Sequence, residues 1–70
     1  MTIVRAEVPA TVWQVKVEVG DAVADGDELI VLESMKMEIP VVSPRAGTVA
    51  AVSVVPQTRV QEGDALVELA

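Results

Sequence analysis

Moving the chain 37 residues along itself lays nine residues of 11–32 onto identical residues of 48–69, with no gap. Thr11-Val12 falls on Thr48-Val49, Val15 on Val52, Val17 on Val54 and Val23 on Val60. Gly26-Asp27 falls on Gly63-Asp64, Leu29 on Leu66 and Leu32 on Leu69, while Asp25/Glu62 and Ile30/Val67 are conservative matches. Two similar halves in 70 residues are each too small to enclose a core and must share one. Two copies are also fewer than a stacked solenoid requires. The repeat predicts one domain over residues 1–70 with internal quasi-two-fold symmetry.

Each half reads as β-structure. Val12, Val15, Val17 and Val19 stand among polar residues in near-alternation, and β-branched residues dominate the apolar set. Glycine–aspartate pairs punctuate these runs at turn positions, where glycine accepts positive φ and aspartate bonds its own backbone. Gly26, Gly47 and Gly63 are assigned to such turns or to close strand approach. The pattern predicts strands over 3–8, 11–18, 28–34, 37–43, 46–54 and 64–69, with short extended pieces at 22–24 and 58–61. Helical periodicity is absent, and four prolines spread along the chain oppose a long helix. The expected fold is all-β: a flattened barrel or sandwich of about eight short strands. No insertion interrupts the alignment of the halves. In one loop the halves differ: Gln57-Thr58 follows Pro56 where the first half has Gly20-Asp21. A different conformation is expected there, remote from the candidate site.

The composition narrows the chemistry. Histidine, cysteine and tyrosine are absent, which removes imidazole bases, thiolate nucleophiles, disulfides and the common zinc ligands. Eleven acidic against five basic residues give a net charge of −6, which repels nucleic-acid backbones. No apolar run approaches the ~18–20 residues of a membrane span, and no secretory signal is visible. A cytoplasmic location is expected from the lack of cysteine. Asp21, Asp25 and Asp27 lack the downstream ligand of a calcium loop and are read as turn residues; no metal site is expected. A stand-alone catalyst has no visible nucleophile or base.

Glu33-Ser34-Met35-Lys36-Met37-Glu38 is the segment that the fold does not require. If Met35-Lys36 is a two-residue hairpin turn, Ser34 pairs with Met37, Glu33 with Glu38, Leu32 with Ile39, Val31 with Pro40 and Ile30 with Val41. Leu32/Ile39 and Ile30/Val41 then share the core face, and Glu33/Glu38 the opposite one. A slip of one residue would break that agreement. Such turns favour Asn-Gly or Asp-Gly, because both central residues take positive φ. Met-Lys is a poor choice for stability, and two methionines at an exposed tip are out of place unless they bind something or fold over the barrel end. Local rules fail where function overrides them. Trp13, the one aromatic residue, falls where the second half has Ala50; it either faces a partner or caps the core edge, the second being the preferred reading.

These residues, with the Gly-Asp turns, Ser43-Pro44-Arg45-Ala46-Gly47-Thr48-Val49 and Glu62-Gly63-Asp64-Ala65-Leu66, resemble the biotinyl/lipoyl attachment domains. The similarity spans nearly the whole chain and is closest to the biotin carboxyl carriers of biotin-dependent carboxylases. The resemblance implies a barrel-sandwich hybrid fold and a non-catalytic carrier; the family's larger carriers can have a protruding thumb loop beside the biotin, which no insertion here provides, so a more mobile biotin is expected. Lys36 would be the biotin attachment residue, and Met35, Met37, Glu33 and Glu38 would be recognised by a biotin–protein ligase. Covalent biotin would act as a swinging arm, shuttling a carboxyl group between biotin carboxylase and carboxyltransferase components. A monomer is expected in isolation, and the start at Met1 favours a free-standing carrier. Two other readings stand beside it. One is a lipoyl carrier of a 2-oxoacid dehydrogenase-type complex, whose sites typically have aspartate before the lysine and alanine after it, where Met35 and Met37 stand here. The other is an unmodified hybrid-barrel adaptor, which has no need of a Met-Lys-Met tip.

Overall fold

The computed structural model describes all 70 residues, Met1–Ala70. Eight strands form: β1 (Thr2–Arg5), β2 (Ala10–Val15), β3 (Ala22–Val23), β4 (Glu28–Ser34), β5 (Met37–Val42), β6 (Gly47–Val52), β7 (Arg59–Val60) and β8 (Ala65–Leu69). They pair into two four-stranded sheets, ordered β1-β8-β6-β3 and β5-β4-β2-β7. Exchanging β1 with β5, β8 with β4, β6 with β2 and β3 with β7 turns one sheet into the other. The molecule is elongated, 31 × 17 × 17 Å. The fold has no helix, and hence none long and apolar enough to cross a membrane.

The strands are shorter than the valine pattern predicts. β1 stops at Arg5 rather than at 8, because the chain bends at Glu7-Val8 before Pro9. β2 stops at Val15 rather than 18 and β6 at Val52 rather than 54. Beyond them the chain crosses toward the other sheet, held by matched bonds from Lys16 N to Leu29 O and from Ser53 N to Leu66 O, both 2.9 Å. Val17 and Val54 still pack on the core there, which is why they read as strand.

The symmetry extends to the irregularities. Val12 pairs with Leu32 and Gln14 with Val31, leaving Trp13 as a bulge; Val49 pairs with Leu69 and Ala51 with Glu68, leaving Ala50 in the same role. Leu29 and Leu66 are likewise the extra residues of a second bulge pair. An extra residue re-aims the side chains beside it. Leu29 and Leu66 consequently join Ile30, Leu32, Val67 and Leu69 in one core, all wholly enclosed or nearly so. Aliphatic side chains from both halves meet at this centre with no aromatic ring among them, so aliphatic burial rather than aromatic packing holds the domain together.

The aspartates carry turns. Asp27 accepts a bond from Ala24 N, and its counterpart Asp64 one from Gln61 N, at 2.8 Å in both cases. Gly26 and Gly63 lie beside them at φ 89° and 91°, the left-handed region that glycine enters freely. Asp21 accepts from Glu18 N at 2.9 Å. Gly47 departs from its expected role. It opens strand β6 with an ordinary φ, and a Cβ there would sit 2.7 Å from Nη1 of Arg45. That guanidinium is fixed: Nε donates to Thr2 Oγ1 at 2.8 Å, Nη1 to Ala46 O at 2.9 Å and Nη2 to Ala70 O at 2.8 Å. Gly47 makes room for a clamp on the two chain ends.

Candidate functional site

The β4–β5 hairpin has the register that its sequence dictates. Ser34 faces Met37, Glu33 faces Glu38, Leu32 faces Ile39, Val31 faces Pro40 and Ile30 faces Val41. Leu32 and Ile30 anchor one face in the core, and both glutamates are exposed on the other. Pro40, which lacks an N–H, is tolerated because β5 is an edge strand. The turn is held from below and free above.

Met35 and Lys36 occupy the turn at φ 53° and 65°. Left-handed backbone costs an ordinary residue about 1–2 kcal/mol. Glu33 opposite Glu38 adds a like-charge pair, which is also unfavourable across a ladder. The tip therefore breaks two local rules in six residues, one of them at two positions, for no gain in packing. Met35 is 91% exposed and Met37 62%, so neither folds over the barrel end.

Lys36 is exposed and makes no hydrogen bond or ion pair. The second lysine, Lys16, is held 3.3 Å from Glu28. Of the two lysines, geometry thus singles out one: projecting, unpaired, on a two-residue hairpin turn and flanked by two flexible apolar side chains. Such an amine can take an acyl group and carry it clear of the domain. No histidine or cysteine stands near it to promote reaction, because the chain has none.

The loop expected to lie far from this site borders it. Gln57 N donates to Val12 O at 2.7 Å, and Val12 N to Thr58 O at 2.8 Å, which fixes Pro56-Gln57 across β2. A cleft of about 370 Å³ opens there between Trp13, Glu33 and Gln57, with Thr11, Val12 and Pro56 as its remaining walls. The loop also keeps its counterpart's shape. Gln57 adopts φ 76° where Gly20 adopts 98°. Thr58 Oγ1 accepts from Val55 N at 3.3 Å, as Asp21 accepts from Glu18 N at 2.9 Å. Backbone bonds on both sides of the loop hold that shape, and the hydroxyl replaces the carboxylate as acceptor. Trp13 is 46% exposed on its bulge and lines this cleft, so it does not cap the core edge. Period-matching contained the signal for this cleft: Gln57 falls on a glycine and Trp13 on an alanine.

Two half-barrels that present one lysine on a strained hairpin define a carrier domain. The family described as "Biotin-requiring enzyme" matches residues 2–69, and the chain belongs to that family. It is 52% identical over 61 residues to a biotinylated protein TB7.3 homolog of Mycobacterium leprae, covering 87% of this chain and 86% of the relative. It is 44% identical over 66 residues to the biotin/lipoyl attachment protein of Bacillus subtilis, with 94% and 90% covered. Among solved structures, the urea carboxylase of Kluyveromyces lactis superposes with a TM-score of 0.92 at 28% identity, over 99% of this chain but 6% of that one.

Proposed function

We propose that Lys36 is the biotin attachment residue of this chain. The domain is of the biotin carboxyl carrier type, a non-catalytic carrier with covalently bound biotin that works with components of biotin-dependent carboxylases. Similarity to a biotinylated protein homolog, to a biotin carboxyl carrier protein and to a stretch of the human propionyl-CoA carboxylase alpha chain supports that class. The observation that carries the assignment to Lys36 is its place at positive φ in the outermost turn, exposed and unpaired while Lys16 is bound to Glu28.

As a neutral amine, Lys36 Nζ attacks the acyl carbon of biotinyl-adenylate. The new C–N amide bond forms as the acyl–phosphate bond breaks, and AMP leaves. The proton is removed by the ligase, since this chain offers no base suited to it. Met35 and Met37 give that enzyme apolar, adaptable contacts, and Glu33 and Glu38 frame the hairpin it grips. The bound biotinyl group supplies carboxyl carriage between a carboxylating site and a carboxyl-transferring site. Tethering on the hairpin raises the effective concentration of the biotinyl group at both sites. The isolated domain is a monomer acting in the cytoplasm.

Intact mass of the chain co-expressed with active biotin and lipoate ligases tests the attachment. One biotinyl increment is expected, lost completely in Lys36→Arg with folding unchanged. A lipoyl increment, or a biotinyl increment that persists in the variant, would overturn the assignment.

A further inference from the structure

We infer that the cleft beside the tip is a resting dock for the bicyclic ureido head of a biotinyl group borne on Lys36, an inference that rests on the attachment reading above and departs from the mobile biotin expected of a carrier without a thumb. The internal repeat provides the comparison. One apolar groove, lined by Val15, Val17 and Val19 and by their counterparts Val52, Val54 and Pro56, repeats across the two-fold. A larger one, about 410 Å³, lies between edge strands β1 and β5 and pairs Ile3 with Pro40 and Val4 with Val41 in the same way. Both follow from the architecture. Three residues of the cleft at Trp13 do not repeat: the two-fold puts Ala50 at Trp13, Ala70 at Glu33 and Gly20 at Gln57, with no side chain extending past Cβ. The same fold closes with those small residues, so the large ones are additions confined to the corner that carries Lys36.

Their chemistry is complementary to a cyclic urea. An indole face accepts an apolar ring, and Trp13 is exposed on its bulge. The Gln57 amide offers both a donor and an acceptor, matching the C=O and N–H of the ureido group, and Glu33 adds a second acceptor. Neither side chain is engaged elsewhere by a hydrogen bond or ion pair. Gln57 holds this position at φ 76°, where a glycine would be unstrained. The Glu33 carboxylate also disfavours an anionic occupant, which suits the neutral ring. The cleft volume, about 370 Å³, falls in the ~300–1,000 Å³ range of small-molecule sites. Reach is sufficient: Glu33 and Lys36 share one hairpin and their Cα atoms are at most about 10 Å apart, a span that the lysine side chain and a biotin acyl chain cover together.

The test compares the Lys36→Arg chain with mass-verified biotinylated chain, reading Trp13 fluorescence and the NMR signals of the Trp13 indole and Gln57 amide. Biotinylation is expected to shift the Trp13 emission to the blue, to move both resonances and to give cross-peaks between indole and biotin ring protons. Gln57→Gly, which suits the backbone and therefore folds, is expected to lose most of the shift and to speed capture of the biotin by streptavidin. A biotinylated chain whose Trp13 signals match those of the unmodified chain would overturn the dock and leave the attachment intact. Signals that move only when a carboxylase component is added would overturn it too, reassigning the cleft to a partner. Absence of the biotinyl increment would overturn both readings.

Discussion

The hairpin corner and its two-fold counterpart are assembled from the same parts and finished differently. At the counterpart, Thr2 pairs with Leu69 as Ile39 pairs with Leu32, but β1 and β8 are not consecutive strands and no tight turn joins them. Gly20 sits comfortably at φ 98°, Ala50 fills the bulge, and Arg45 clamps the ends through Thr2 and Ala70. At the hairpin, Met35, Lys36 and Gln57 all hold left-handed backbone, two glutamates face each other, and the one indole is exposed. One corner is optimised for folding and the other departs from that optimum repeatedly. At Gln57/Gly20 and Trp13/Ala50 the same backbone serves both corners, so the fold does not impose the larger residues, and at the tip the fold requires a positive-φ turn but not Met-Lys in it. These departures mark where function is located.

The deepest test of the comparison lies in the core, where no difference should exist. Leu29→Ala and Leu66→Ala each delete a wholly buried bulge leucine. Each is expected to cost about 3 kcal/mol, and the two to agree closely, in urea melts. A large disagreement would show that the halves are alike in backbone but not in energy. Next in size is repair of the tip. Met35→Asn with Lys36→Gly supplies the residues the turn geometry favours and should stabilise by about 2 kcal/mol. The same change removes the acceptor amine, so thermal stability should rise while modification disappears. A melting point that stayed level would mean the strain at the tip is not real.

A smaller effect sharpens the contrast between the two loops. Gln57→Gly should stabilise by about 1 kcal/mol and Gly20→Gln should destabilise by a similar amount. Equal effects of one sign would contradict the shared backbone shape. Smallest is the surface pair Lys16–Glu28, whose counterparts are Ser53 and Ala65. Lys16→Gln should change stability by at most about 0.5 kcal/mol, since both groups are well exposed. This asymmetry is decoration, and a chemical melt should distinguish it from the asymmetry at the tip.

Much of this was readable in the sequence, for reasons that can be named. The hairpin register followed from Ile30, Leu32, Ile39 and Val41, because a one-residue slip would turn every one of them to solvent. The number of strands and the matching of halves followed from the 37-residue period, which the structure repeats down to its bulges. Strand ends were less legible. Val17 and Val54 keep the alternating pattern after leaving the ladder, because crossing segments bury valines just as strands do. Gly47 resembled the turn glycines in its surroundings, and only the placement of Arg45 against it gives its reason.

The sequence by itself determined a two-fold all-β domain with one lysine displayed on a turn that favours other residues. It did so because side-chain alternation and turn chemistry are local properties that the chain expresses residue by residue. The tertiary structure alone decided that Pro56-Gln57 lies against Trp13 and Glu33. That placement comes from the pairing of Thr11 with both Glu33 and Arg59, which brings distant segments side by side in one sheet. Periodicity shows which residues are equivalent; only the pairing of strands distant in sequence, here β4, β2 and β7 in one sheet, fixes which of them become neighbours.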